Sequence, residues 1–277
     1  MKADVCVVEG RTIAEVWEKS VISLWEKGGN IPTEYDMPGD PQSRDATMIM
    51  IINEPFSEPR IHLGFPGGME DLEKYRQEVV FGVHDHWIKP EEGKWTYTYH
   101  QRLFNYPAEQ PVNQVEYIIN KLSATFCSRR AQAITWLPSY DPKTDDPPCL
   151  QRVWCRLCNK GGNIFLRMNT HWRSRDAYRA AYMNLFGLTE LQKYIADEIS
   201  KKIDKKIFIG PYMDITDSYH IYGSNIDDFQ SRFLKMMEER NFYHKDRLKS
   251  RTMRSDDPAV LAGFEYGREQ LRNEKNL

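Results

Sequence analysis

An α+β fold, with helices and strands interspersed in one layered unit, is what this sequence predicts, and three observations predict it. Amphipathic helical stripes and alternating strand patterns are mixed along the chain without strict βαβ order. Two strand-like runs flank a Lys160-Gly161-Gly162-Asn163 turn and so should pair as an antiparallel hairpin. No internal repeat or low-complexity linker divides the 277 residues, so a single domain spanning residues 1–277 is expected.

Taken in order, residues 12–27 predict an opening helix. Thr12 and Glu15 have capping-box spacing, Ile13, Val16, Trp17, Val21, Leu24 and Trp25 form an apolar stripe, and Gly28 supplies a stop. Residues 31–44, rich in Pro, Gly and Asp, read as a loop, and residues 47–52 as a short apolar strand. A second helix is expected over 69–85, with Leu72, Tyr75, Val79 and Val83 on one face. The Thr and Tyr content of residues 95–104 predicts a strand. A helix over 112–122 and a buried strand over 131–137 follow. The hairpin runs are 150–158 and 164–172. The longest helix is expected over 176–199, with Leu188, Leu191, Ile195 and Ile199 as its core face. After a basic stretch at 201–206 come a strand over 212–222, a helix over 226–240, and a charged tail.

Composition narrows the function. Hydrophobic residues at 40% and charged residues at 28% suit an ordinary globular protein, and a net charge of -2 argues against duplex nucleic acid as partner. A compact anion such as a nucleotide phosphate needs only a few local arginines. The amino end carries no basic region followed by an apolar run, and no stretch approaches the roughly 18 apolar residues of a membrane span. Five sparse cysteines fit reduced thiols, so a cytoplasmic location without membrane contact is expected.

Several residues could carry chemistry. Pro147-Pro148-Cys149 sets a thiol just after a rigid, extended turn, and Arg129, Arg130 and Arg173 are the cations that could lower its pKa. Adjacent Arg129 and Arg130 could clamp a phosphate through forked hydrogen bonds or simply be solvated. Arg173-Ser174-Arg175-Asp176 stands where hairpin meets helix, so Ser174 or Asp176 could cap that helix and a phosphate could meet its positive end. Asn184 falls on the buried face of the same helix, and its amide must find partners. His220 and Tyr222, two apart on a strand, share a face with Ser218. Glu78, at the margin of an apolar helix face, could be a partly desolvated proton carrier. Cys155-x-x-Cys158 lacks a second ligand pair and its members face opposite sides of a strand, so no metal is expected.

Alone, each of these residues has an ordinary structural role. In this order and spacing, from Glu78 to Tyr222, they resemble the thymidylate synthase family, which includes pyrimidine-nucleotide hydroxymethylases. The motifs are Ser128-Arg129-Arg130 followed by Trp136, Pro147-Pro148-Cys149, Arg173-Ser174-x-Asp176, Asn184, and His220-Ile221-Tyr222. The run from Asp176 to Ala196 is more similar to a divergent archaeal or phage-type branch.

The resemblance implies a mixed twisted sheet with flanking helices whose free face forms a homodimer interface. It implies a pyrimidine nucleoside monophosphate as substrate and 5,10-methylenetetrahydrofolate as co-substrate. Cys149 would be the nucleophile, Glu78 the proton relay, and Tyr99 the residue near C5 proton removal. Arg173 and Ser174 would hold phosphate, Arg129 and Arg130 would reach it from the partner subunit, and Arg44, in a loop, would be a mobile phosphate ligand. Asn184 would read the base, His220 and Tyr222 the sugar hydroxyl, and Asp176, Trp87 and Ala180 would face the folate. The same positive charge would depress the Cys149 thiol pKa. Where the family usually has His after the nucleophile, this chain has Leu150, and its last residues, 274–277, are charged where the family closes over folate with an apolar segment. Methylation of dUMP to dTMP is the leading expectation, since Asn184 suits uracil; the charged last residues bear on the final hydride step and keep hydroxymethylation of dUMP, dCMP or CMP as the alternative.

Overall fold

The computed structural model describes residues 4–274 and centres on a seven-stranded mixed sheet. Strand β1 (Val5–Gly10) leads into helix α1 (Ile13–Lys27), then β2 (Gly29–Ile31) and β3 (Ser43–Ile52). A short β4 (Ile61–His62) and helices α2 (Met69–Phe81), α3 (Tyr99–Phe104) and α4 (Gln114–Ala124) precede β5 (Gln132–Ile134). The hairpin β6 (Leu150–Lys160) and β7 (Asn163–Asp176) is followed by α5 (Ala181–Ile203) and β8 (Ile207–Ile221). The sheet order is β1-β3-β8-β7-β6-β5 with β2 on β3; β1/β3 and β7/β8 are parallel and the other pairs antiparallel. Two helical crossovers, through α1 and α5, sit in a sheet whose other pairs are antiparallel, which makes this an α+β fold.

One face of the sheet packs on α1 and α5. Thr12 accepts from the Glu15 N–H to cap α1, and Trp17, fully buried, donates its indole N–H to the Ala177 carbonyl at 2.9 Å. Leu188, Leu191, Ile195 and Ile199 of α5 are all buried. The opposite face carries rows of half-exposed apolar side chains in register: Val7, Ile49 and Ile215 in one, Ile51 and Met213 in the next. Val5 and Val7 are 52% and 61% exposed there, against a sheet interior near zero.

Several boundaries depart from the sequence reading. The 95–104 strand is instead a loop and helix α3, because Thr98 accepts the Gln101 N–H at 2.9 Å and caps a helix where Thr/Tyr content suggested extension. Helix α2 stops at Phe81, since Gly82 takes the left-handed conformation (φ 64°). The long helix starts at Ala181, not 176, and Asp176 ends β7; its carboxylate accepts the Tyr178 and Arg179 N–H groups, capping a turn before the helix. Residues 226–239 are helical with a wide π turn at Phe229–Leu234. In place of a charged tail come β9 (Thr252–Met253), paired with β4, and helix α8 (Pro258–Glu274); residues 275–277 lie outside the described residues. The hairpin turn holds as expected, with Gly161 and Gly162 both at positive φ (59° and 82°), as two-residue hairpin turns require. Among the described residues, no helix is long and apolar enough to cross a membrane.

Candidate active site

Cys149 is fixed by the strand that follows it and by Arg173 across the hairpin. The Arg173 N–H donates to the Cys149 carbonyl at 2.9 Å, and its guanidinium donates to the carbonyls of Pro147 (2.7 Å) and Pro148 (3.1 Å). Prolines cannot donate in return, so the turn presents a row of carbonyls that a forked cation clamps. Register shifts between Leu150 and Arg152 and between Ala46 and Met48 bend the sheet at this end, as bulges do.

The thiol opens on a cavity of about 580 Å³ shared with Arg173, Ser174, His220 and Tyr222. Sequence separation brings these from two strands: Ser174 lies opposite Ser218 in the β7/β8 ladder, and Asp176 opposite His220. His220 and Tyr222 pack edge to face with centroids 4.4 Å apart. The Ser218 hydroxyl donates to Asp45 on β3 and lies 3.3 Å from the His220 ring nitrogen Nδ1. His220 Nε2 is buried with no hydrogen-bond partner. An orphaned imidazole nitrogen beside a cavity is a ready contact for a ligand hydroxyl. Burial raises the Asp45 carboxyl pKa, partly offset by Ser218 and His220.

A second cavity, of about 420 Å³, is lined by Glu78, Trp95, Tyr97, Tyr99 and Asp146. Asp146 also lines the first cavity, so the two adjoin next to Cys149. Glu78 is largely buried, and one carboxylate oxygen lies 2.8 Å from His84 Nδ1. Tyr99 accepts the Leu150 N–H at 3.3 Å and packs edge-on against Trp172. Burial pushes its phenol well above the ordinary range, so it stays neutral and offers a hydrogen bond in place of a phenolate.

The expected depression of the thiol pKa is not what the protomer displays. Burial raises the Cys149 pKa; Arg173 and Arg175 lower it and Asp146 raises it again, and the sum is upward. The sequence reading counted cations but had no measure of desolvation, which is the largest effect here.

The other expected site residues divide by location. The Asn184 amide donates to the Tyr75 hydroxyl at 2.7 Å, and the ring of Tyr75 is able to lie against α5 because residue 187 is glycine. Asp176 is occupied with its turn, and Ala180 stands at the start of α5. Trp87 stacks on His84 at 3.8 Å, with Trp95 edge-on to it, and Trp95 is the tryptophan that lines the cavity. Arg44 belongs to β3 and is not in a loop; its guanidinium donates to Asn30 (2.8 Å) and the Trp25 carbonyl (2.5 Å), away from the cavity. Ser174, within β7, caps no helix. Arg129 and Arg130 are exposed around a separate surface hollow with Lys121. Asp45, Asp146 and His84 carry no sequence signal: the fold half-buries Asp45 and buries His84, while Asp146 stays exposed at the rim that both cavities share.

Comparison with known proteins shows the family of the chain. The family model described as thymidylate synthase matches residues 63–260. A protein of Methanosarcina barkeri curated under the name "Putative thymidylate synthase" is 30% identical over 221 residues, covering 80% of this chain and 91% of the relative. One of the same name from Methanococcoides burtonii is 28% identical over 224 residues, covering 81% and 93%. Among solved structures, the thermostable thymidylate synthase A of Bacillus subtilis is similar in fold, with a TM-score of 0.60 at 20% identity, covering 83% of this chain and 86% of that one.

Proposed function

The chain belongs to the thymidylate synthase family of one-carbon transferases, and from that premise we propose that it converts dUMP to dTMP with 5,10-methylenetetrahydrofolate, acting as one catalytic domain in a homodimer. The observation that carries this reading is the adjacency of two cavities, one holding Cys149 and the other Glu78, joined at Asp146.

In this reading the phosphate lies against Arg173 and Ser174, and the sugar hydroxyl meets the unpartnered His220 Nε2 and the Tyr222 hydroxyl. The Cys149 sulfur then adds to C6 of the pyrimidine; the C5–C6 π pair moves onto C5 and O4, making C5 the nucleophile. Glu78, in the adjoining cavity, moves protons at O4, and Tyr99, held against the Leu150 N–H, stands where the C5 proton leaves. Holding the ring by its phosphate and sugar sets C6 near sulfur, and such positioning supplies much of the rate. Asn184 offers both a donor and an acceptor, matching O4 and N3–H of uracil.

The second cavity fits a reduced folate: Trp95, Tyr97 and Tyr99 give flat aromatic walls for a pterin, and Glu78 gives a carboxylate for its N–H edge. Methylenetetrahydrofolate supplies the one-carbon unit and, for a methyl product, the hydride. The half-exposed apolar rows of β1, β3 and β8 support the dimer, which would bring the partner's Arg129 and Arg130 to the phosphate.

The test is product identity. Incubation with methylenetetrahydrofolate and dUMP, dCMP or CMP in turn should give dTMP and dihydrofolate from dUMP. A product heavier by a hydroxymethyl group, with tetrahydrofolate released, refutes methylation and selects the hydroxymethylase alternative.

A further inference from the structure

His84 is the only histidine in hydrogen-bond reach of Glu78 among the described residues, and it stands between two carboxylates. Its Nδ1 lies 2.8 Å from Glu78; a carboxylate only accepts, so the ring donates. Its Nε2 faces Glu274, in the last turn of α8, at 3.5 Å. Both that nitrogen and the facing Glu274 oxygen are buried without another partner. Trp87 stacks on the ring at 3.8 Å and 8°, so the imidazole cannot turn away.

The helix that delivers Glu274 is seated closely. A Cβ at Gly267 would stand 2.8 Å from the Glu70 carbonyl oxygen, and one at Gly263 would collide with the Met69 side chain, so both glycines are needed for α8 to lie on α2. Arg268 adds an ion pair to Glu73 at 3.3 Å. These contacts run from the start of α2 toward its end and align the last turn of α8 with His84, just past that end.

We propose that His84 and Glu274 are positioning residues for Glu78: the last turn of α8 holds the imidazole, and the imidazole holds the carboxylate that moves protons. This rests on the reading of Glu78 given above. It makes docking of the carboxyl-terminal helix a condition for turnover, while nucleotide binding at Cys149, in the other cavity, is independent of it.

Three variants of the full chain test this. His84→Leu should lower kcat by about a hundredfold or more with KM for the nucleotide little changed, while 5-fluoro-dUMP and cofactor still label Cys149, only more slowly. His84→Asn places an amide N–H where Nδ1 was and should recover activity to within about tenfold of the parent. Equal loss in both variants, or wild-type kcat in His84→Leu, overturns the proposal. Nitrogen-15 spectra of histidine-labelled protein read the pairing without turnover: Glu274→Ala should shift the His84 Nε2 resonance, and an unmoved resonance overturns it. A parent protein that neither turns over nor labels, yet has the Nε2 shift, would refute the functional reading and leave the structural relay supported.

Discussion

The Arg175 charge that acts on Cys149 is held by one of the most buried ion pairs in the protein, and Asp214→Asn is the perturbation that isolates it. The side chains of Arg175 and Asp214 are 1% and 0% exposed. The carboxylate accepts both Arg175 nitrogens, Thr170 (2.8 Å), the Trp172 indole (2.9 Å), Tyr212 (3.2 Å) and Thr216 (3.3 Å). Burial works against the Arg175 charge, and the opposing carboxylate more than offsets it, so the guanidinium sits above its ordinary range. Asparagine preserves shape but removes the charge and turns a donor toward donors. Breaking a buried pair on one side costs about 3–5 kcal/mol, because the remaining charge is left uncompensated. That is a large part of the roughly 5–15 kcal/mol by which domains are stable. For a chain of this size it lowers Tm by roughly 5–9 °C. Urea unfolding at fixed protein concentration and a thermal melt measure it. The exposed Arg11–Glu54 pair is the control, and Glu54→Gln should leave the midpoint in place. A loss under about 1 kcal/mol in Asp214→Asn would refute the reasoning, since that is what a solvated pair is worth.

Two further outcomes follow from the site. In the chain kept monomeric, the rate at which iodoacetamide modifies Cys149, followed by mass spectrometry of its peptide, should titrate above the ordinary thiol range; Arg173→Ala should move the midpoint higher and Asp146→Asn lower, and a midpoint below that range contradicts the burial argument. If Arg129 and Arg130 serve the partner's site, mixing inactive Cys149→Ser with inactive Arg129→Ala/Arg130→Ala protein should restore roughly a quarter of full activity, because half the dimers are mixed and each has one complete site. Mixtures that stay inactive, with dimer exchange verified by light scattering of tagged chains, count against shared sites.

What the sequence made legible was whatever depends on local periodicity or fixed turn chemistry. The α1 cap at Thr12, the glycine turn at 161–162 and the α5 core face are such features. Where tertiary contact decides, the reading failed for physical reasons. Thr98 looks like a strand residue until its hydroxyl is seen capping α3 and donating to Asp85. Helix α8 seats Val260, Phe264 and Leu271 on one face, but glycine at 263 and 267 and the charged residues around them thin that stripe. Strand β1 escaped notice because Val5 and Val7 face outward beside buried Cys6 and Val8, so its run has no polar alternation. The motif order located Cys149, Arg173, Ser174, His220 and Tyr222 around one cavity, but it could not weigh desolvation against charge, nor show that half-buried Asp45 and exposed Asp146 border that cavity.

Those acids bear on how the proposed phosphate site would work. Glu34, Asp45, Asp145 and Asp146 line the cavity with Cys149, and among the described residues Arg173 is the one guanidinium in that lining. Its Nε and one Nη are already committed to the Pro147 and Pro148 carbonyls. A nucleotide phosphate brings close to two negative charges at neutral pH, into a space whose own carboxylates repel it. One clamped arginine does not offset that. The same shortage leaves the thiol pKa raised, since burial and Asp146 outweigh Arg173 and Arg175. Both deficits call for the same remedy, further positive charge at the mouth of the cavity, and Arg129 and Arg130 are exposed elsewhere on the protomer with no ion pair formed among the described residues. Dimerisation through the apolar sheet face would therefore do two things at once: it would give the phosphate its counter-charge and favour the thiolate that the proposed reaction needs. On this argument a protomer kept monomeric by charge substitutions at Val7 and Ile49 has a thiol that remains sluggish toward iodoacetamide, whereas the assembled dimer reacts faster at the same pH.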